Sequence, residues 1–207
     1  MFVIAGLSWF AAVPQFGHTG FVNANESAAI ATLKNIASGQ RVVQERAQID
    51  CDGDGVGEFG YLGELSGRVP IRGSDRRVDP PVLSAQFGNV VDGCATRSAY
   101  CFGMFLPGDG GRWLPESPRG GASGRVLPDL AEEAWLLYAW PVHYGEHTRR
   151  RFVIDAAGDV HAHTVQRVPL RGIVPMPGLT AFCERDGRWQ LADDERDAFG
   201  DLWVIVQ

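Results

Sequence analysis

The apolar positions of this chain follow a helical period between about residue 26 and residue 47. Apolar side chains recur there at spacings of three, four or seven residues, and most charged side chains fall between them. This spacing predicts an amphipathic helix that buries one face. Asn23 followed by Glu26 has the spacing of a capping box, which predicts that the helix starts there and that residues 15–25 form an irregular connector. The predicted buried stripe consists of Ile30, Leu33, Ile36, Val43 and Ala47.

Beyond this helix the pattern changes to short apolar or alternating runs that are separated by turns, as is typical of β-strands. Residues 151–161 have the pattern of a β-hairpin with a tight turn, and residues 115–128 that of an exposed loop. One long helix followed by a meander of strands predicts an α+β fold, in which the helix lies across one face of an antiparallel sheet. The runs lie at about 81–91, 99–106, 134–143, 150–155, 159–165 and 201–206.

The first thirteen residues are almost entirely apolar and end at Pro14. This segment is shorter than the roughly 20 residues that a membrane-spanning helix needs, and it lacks the basic start and cleavage site of an ordinary signal peptide. Because apolar surface is costly to leave in water, we expect it to be covered, either by partner subunits or by its own domain as a strand or helix. The side chains that we expect to mediate assembly are Phe2, Val3, Ile4, Leu7, Trp9, Phe10 and Val13.

These patterns divide the chain into an apolar assembly segment, residues 1–21, and a globular domain, residues 22–207, whose β region spans 80–207. With 207 residues and an apolar fraction of 45%, the chain is long enough for a sizeable core. The net charge is −6, and the only basic run is Arg149–Arg151, so we expect no nucleic-acid partner. The sequence contains no G-x-S-x-G, HExxH or P-loop motif, and we expect no enzymatic activity.

Four cysteines are scattered along the chain without a CxxC pair. An even number of scattered cysteines predicts two disulfides in an oxidising compartment, hence an extracellular or cell-surface protein, and four buried free thiols are the alternative. Cys94 and Cys101 are separated by a span that a hairpin can close, which favours a Cys94–Cys101 bond. By elimination, Cys51 is then expected to pair with Cys183.

Residues 50–58 match the first nine positions of an EF-hand-type calcium loop. Calcium prefers six to eight hard oxygen ligands, and alternate aspartates on a curled loop converge on one point. Gly55 permits the sharp turn, but the twelfth position is Tyr61, so closure of the site is expected from Glu58 or Glu64. The alternative is a solvated acidic turn that needs no metal. The predicted calcium ligands are Asp50, Asp52, Asp54, Val56 through its carbonyl, and Glu58.

Two further groups of residues suggest alternative functions. Histidines cluster late in the sequence and would suit zinc or copper, and through the metal a hydrolase, although surface positions on a hairpin are the favoured interpretation. Six tryptophans would suit a carbohydrate-binding β domain, although Trp135 and Trp140 are expected on opposite faces of a strand and Trp135 in the core. The acidic residues Asp129, Glu132 and Glu133 are expected at a solvated strand entry. The histidines are His143, His147, His161 and His163, and the tryptophans are Trp9, Trp113, Trp135, Trp140, Trp189 and Trp203.

Residues 25–36, NESAAIATLKNI, follow shortly after an apolar run that ends in Ala-Val-Pro, and in this they resemble type IV pilin-like proteins and type II secretion pseudopilins. Tyr138–Pro141 and the hairpin at 152–160 are similar to the β region of some bacterial pilin-like proteins. The chain lacks the family's prepilin peptidase site, has Ala5 where the family has Glu, and carries Pro14 about eight residues early.

The resemblance implies a structural subunit of an extracellular pilus-like or pseudopilus-like filament. In such a filament the apolar N-terminal segments bundle in the core and display the β domain outwards. The expected partners are copies of the same chain in a helical filament and the pilus or type II secretion assembly machinery.

Overall fold

The computed structural model describes residues 17–143, 150–163, 182–185, 188–191 and 203–206, with only the backbone described for residues 17–19, 21, 22, 182–185 and 188–191. Within these ranges the helices are α1 (Gly17–Glu45), α2 (Leu62–Leu65) and α3 (Pro128–Ala131). The strands are β1 (Ala95–Arg97), β2 (Tyr100–Gly108), β3 (Arg112–Pro115), β4 (Leu136–Pro141), β5 (Phe152–Asp155), β6 (Val160–His163), β7 (Phe182–Arg185), β8 (Arg188–Leu191) and β9 (Trp203–Val206).

Seven of these strands form one antiparallel sheet in the order β1-β2-β4-β5-β6-β9, with β3 paired to β2. β7 and β8 form a separate hairpin. The predicted α+β class is confirmed, and so is the hairpin within 151–161, which is β5 and β6 with Gly158 in the left-handed region at φ 90°. The predicted run at 81–91 is not a strand: Val82 and Leu83 both donate backbone hydrogen bonds to Leu65 at the end of α2, and a 3₁₀ turn follows at Ala85–Gly88.

Helix α1 already includes Gly17, the first described residue, so it extends to well before the predicted start. The capping box is therefore wrong, and so is the irregular connector from residue 17 onward. Glu26 does not cap the helix because its carboxylate accepts hydrogen bonds from Arg150, at 3.2 Å from the backbone N–H and 2.7 Å from Nε. The helix ends close to the predicted residue, where Ala47 adopts φ 44°.

The apolar stripe of α1 packs against the sheet as predicted. Leu33, Ile36 and Val43 are fully buried, whereas Ile30 and Ala47 are half-buried. Gly39 lies under Leu83, where a Cβ would come within 3.1 Å of Leu83 Cδ2, so the missing side chain allows the 82–83 segment to pack against the helix. Among the described helices, none combines the length and the apolar character needed to cross a membrane.

Both faces of the sheet are buried in the described residues. The face toward α1 carries Phe102, Leu137 and Ile154. The opposite face forms a second apolar cluster, in which Tyr138 contacts Phe105 and Trp203 edge-on, with ring centroids at 5.8 and 6.2 Å. The remaining members of that cluster are Cys94, Cys101, Leu136, Trp140 and Val153.

Candidate functional site

The acidic loop directly after α1 curls as its sequence predicts. The side-chain oxygens of Asp50, Asp52 and Asp54 lie within 4.8 Å of one another. Asp50 accepts the backbone N–H groups of Gly53 at 2.7 Å and Gly55 at 3.2 Å, and Gly55 adopts φ 90°. Backbone donors and the left-handed glycine therefore bend the loop so that three carboxylates converge. The side chains of Asp52, Asp54 and Val56 are exposed, and Asp50 is half-buried.

Glu58 does not lie with these aspartates. Its carboxylate is completely buried, where it accepts the Cys51 backbone N–H at 2.5 Å and forms a salt bridge with Arg72. Glu64, the other carboxylate expected to close the site, is also buried and pairs with Arg72 Nη1 at 2.9 Å. Since a buried carboxylate needs a charged or hydrogen-bonding partner, Arg72 holds both groups inside the domain. The prediction that Glu58 belongs to the ligand group is corrected accordingly.

Helix α3 and the residue that follows it supply two carboxylates near the loop that sequence reasoning missed. The side-chain oxygens of Asp129 and Glu132 lie within 4.8 Å of each other and of an oxygen of Asp52. Burial and the neighbouring carboxylates, Asp54 and Asp52 foremost among them, raise the pKa of Glu132. Its Oε1 is buried and has no hydrogen-bond partner among the described residues. Glu132 is thus half-buried, whereas Asp129 and Glu133 are exposed as expected for a solvated strand entry.

Hydrogen bonds connect the α3 region to the end of the acidic loop and to the last turn of α1. Phe59, just after the loop, donates its backbone N–H to Ala131 at 2.8 Å, and the Gln44 side chain donates to the Glu132 carbonyl. Two groups of three carboxylates, one within the loop and one joining the loop to the α3 region, thus share Asp52 near the end of α1. Hard oxygen atoms in this number are a donor set that suits calcium, whereas zinc prefers nitrogen and sulfur ligands.

The described histidines do not join this site. His143 is exposed, but His161 and His163 are buried on the sheet face away from α1, so the prediction of surface histidines is wrong for these two. The His163 ring packs edge-on against Trp203 with centroids 5.3 Å apart. The ligand-forming groups found among the described residues include no histidine, and His147 lies outside those residues.

The cysteines differ from the predicted disulfides, because Cys51, Cys94 and Cys101 are free thiols. Cys94 and Cys101 are buried and hydrogen-bonded to each other, but the residue directly opposite Cys101 on β1 is Thr96, so the two cysteines occupy diagonal positions. The exposed Cys51 donates to the Arg72 carbonyl at 3.5 Å, and burial of part of the thiol raises its pKa to about 12. The side chain of Cys183 lies outside the described residues.

The tryptophans whose side chains are described offer no exposed platform for a sugar. Trp135, Trp140 and Trp203 are buried, and Trp113 is half-buried. As predicted, Trp135 lies in the core on the α1 side of the sheet and Trp140 on the opposite side. The side chains of Trp9 and Trp189 lie outside the described residues, as do the assembly residues between Phe2 and Val13.

Comparisons of the chain with protein-family models, with curated proteins and with solved structures found no match. Two features of the described residues carry the functional inference: the exposed residues Gly20, Asn23 and Ala24 in the first turns of α1, and the acidic residues near its other end.

Proposed function

We propose that this protein is a structural subunit that assembles with copies of itself into an extracellular pilus-like or pseudopilus-like filament. The observation that carries the proposal is the exposure of the described side chains in the first turns of α1. Among the described side chains of the helix, Gly20, Asn23 and Ala24 are exposed, and Glu26 is the first that is buried. At 1.5 Å per residue, the stretch from Gly17 to Asn25 extends roughly 13 Å beyond that point.

The sequence that precedes this extension supports a role in assembly. Residues 2–13 are nearly all apolar, and an apolar segment joined to an exposed helix requires cover from some other surface. Copies of the same segment, bundled side by side, would supply that cover in a symmetric assembly. The resemblance of residues 25–36 to pilin-like proteins points the same way, with the pilus or type II secretion machinery as a further partner. The role is structural and includes no catalysis.

A polar anchor fixes the direction in which the helix leaves the sheet. The Glu26 side chain is 5% exposed and pairs with Arg150, which lies two residues before the start of β5. The Tyr100 hydroxyl donates to the Arg150 carbonyl at 3.0 Å, so the same residue is tied to β2. An extension held this firmly at its base would display the β domain at a constant angle on a filament.

Electron microscopy of the native material by negative stain tests the assembly proposal. We expect long fibres of uniform diameter. Monodisperse monomers that bind glycans, with binding lost in Trp113→Ala, would instead identify a secreted or periplasmic carbohydrate-binding domain and contradict the proposal.

We further propose that the acidic group at the C-terminal end of α1 binds a structural calcium ion. The ligands would be Asp50, Asp52, Asp54 and the Val56 carbonyl, with Asp129 and Glu132 closing the site from α3. The carboxylates within each of the two groups that share Asp52 repel one another, and a divalent cation would remove that repulsion. Since the ion would join the loop to α3, it would also fix the end of α1 against the body of the domain.

Thermal unfolding with calcium and with chelator tests the ion site. Free calcium at about 100 times its dissociation constant should add about 2.7 kcal/mol to the free energy of unfolding. Asp52→Asn combined with Asp54→Asn should abolish most of this gain, and so should Asp129→Asn with Glu132→Gln. Glu133→Gln, which removes an exposed charge nearby, is the matched control and should retain it. Equal midpoints for the wild type in both buffers, after exhaustive metal removal, would reduce the loop to an acidic turn.

A further inference from the structure

The base of the acidic loop is closed by hydrogen bonds that involve no metal ligand side chain. The Glu58 backbone N–H donates to the Ile49 carbonyl at 2.8 Å, and the Glu58 carboxylate accepts the Cys51 backbone N–H at 2.5 Å. These two bonds connect the start of the loop to its end. The distance between the two ends is therefore set by Glu58, while the three aspartates lie on the part of the loop between them.

Arg72 holds Glu58 in this position. The Arg72 side chain is only 9% exposed, and its guanidinium bridges two carboxylates that are fully buried: Nη2 pairs with Glu58 and Nη1 with Glu64. Arg72 Nη2 also donates to the Phe59 carbonyl at 2.9 Å, and the Arg72 backbone N–H donates to Glu64 at 2.8 Å. Charged groups buried in this way have few alternative conformations, because each rearrangement would leave a charge without its partner.

The other side of the loop base is equally restricted. Gly57 lies against the end of α1, where an added Cβ would overlap the Gln44 carbonyl oxygen. The loop thus packs closely against α1 at Gly57 and is bonded to Arg72 at Glu58, on two consecutive residues. Rigid support of this kind, from residues that do not touch the ligand, is what fixes the geometry of a metal site.

We propose that Glu58 and Arg72 are positioning residues for the acidic loop. They hold its two ends at the separation at which Asp50, Asp52 and Asp54 converge on one cation, and Glu58 itself makes no contact with the ion. This inference rests on the proposed calcium site. Glu58 occupies the ninth position of the loop, where the sequence pattern indicates a calcium ligand, and the structure gives it a supporting role.

The test compares Glu58→Gln and Arg72→Lys with wild type in the full chain. In Glu58→Gln the side chain keeps an oxygen that can accept the Cys51 N–H but loses the charge that pairs with Arg72. In Arg72→Lys the charge is kept, but a single ammonium group replaces the two guanidinium nitrogens that bridge the carboxylates. Calcium affinity is measured by calorimetry, and the number of water molecules on bound terbium by luminescence lifetimes in H₂O and D₂O. We expect each variant to bind calcium about tenfold more weakly with the water number unchanged, as is usual for outer-shell residues. Asp52→Asn should raise the water number, and Glu133→Gln should change neither quantity.

Amide hydrogen exchange on calcium-free wild type provides a test that needs no substitution. The amides of Cys51 and Glu58 should exchange slowly because the base is closed before the ion binds. Fast exchange at Cys51 and Glu58 would overturn the positioning role.

The outcomes also separate this inference from the calcium proposal. If wild type binds neither calcium nor terbium, both fail. If wild type binds and the two variants keep its affinity, or if Glu58→Gln gains a water molecule on terbium, the positioning role alone fails.

Discussion

At the scale of single residues, buried polar groups in this protein are held by partners that are distant in the sequence. The convergence of Asp50, Asp52 and Asp54 could be predicted because it depends on a local loop pattern. The burial of Glu58 could not, because it depends on where Arg72 lies in the folded chain. Glu132 was missed for the same reason, since sequence spacing does not show that α3 packs beside the loop.

Gln40 on α1 is a buried side chain whose removal should be costly. Its amide is fully buried and forms two hydrogen bonds with one residue, from Nε2 to the Gly60 carbonyl at 2.8 Å and from the Gly60 N–H to Oε1 at 2.9 Å. Gln40→Leu would leave both backbone groups without partners, so we expect a loss of about 2–4 kcal/mol in the free energy of unfolding. Ser38→Ala on the exposed side of the same helix should change it by less than about 0.5 kcal/mol. Urea unfolding measures both, and equal midpoints would contradict the role of Gln40.

Glu116 should make stability depend on pH. Its carboxyl is buried, and burial raises its pKa to about 8 even though Gly63, Gly121 and Leu62 donate backbone hydrogen bonds to it. A carboxyl with a raised pKa keeps its proton to higher pH in the folded protein than in the unfolded chain. The folded state therefore binds more protons between pH 4.5 and about 8, and the free energy of unfolding should fall as the pH rises through that interval.

Urea unfolding at pH 5 and pH 8.5 measures this dependence. Glu116→Gln should be less stable than wild type at low pH. Backbone N–H groups donate to both oxygens of the Glu116 carboxyl, and a glutamine side chain has only one oxygen that can accept them. The stability of the variant should, however, fall less with rising pH. Parallel pH profiles for the two proteins would show that Glu116 does not titrate in this range.

At the scale of elements, the hydrophobic period identified the buried face of α1. It did not identify the first described turns of that helix or the conformation of residues 81–91. The stripe from Leu33 to Val43 was predictable because packing against one surface requires a helical period. The stretch from Gly17 to Asn25 has no such stripe, and Gly17 and Gly20 are poor helix formers, so nothing local indicated that this stretch is helical. The run at 81–91 looked like a strand because Leu83 and Phe87 are buried, yet they reach the core from a loop and a 3₁₀ turn.

The junction of α1 with the acidic loop depends on Gly57. Because a Cβ there would overlap the Gln44 backbone, Gly57→Ala should force the loop away from the helix end at a cost of about 3 kcal/mol. Gly20→Ala is the matched control, since Gly20 lies in α1 with no heavy atom near its Cβ position, and it should cause no loss. Thermal unfolding of the two variants distinguishes them. A Gly57→Ala protein as stable as wild type would mean that the loop moves freely at its base.

At the scale of the whole molecule, we predict that the folded body and the proposed assembly segment are separable. The sheet packs against α1 from Glu26 onward, and the described contacts of the core involve no residue before Glu26. The body should therefore fold without the first twenty residues, whereas association of the subunits should require them. This division is the central claim, because it separates a filament subunit from a domain that covers its own N-terminal segment.

Sedimentation velocity of the full chain beside a variant that lacks Met1–Gly20 tests this claim most directly. The full chain should sediment as large assemblies, and the truncated chain as a single monomeric species with the circular dichroism and cooperative unfolding of a folded α+β domain. A truncated chain that still assembles, or that no longer folds, would contradict the account.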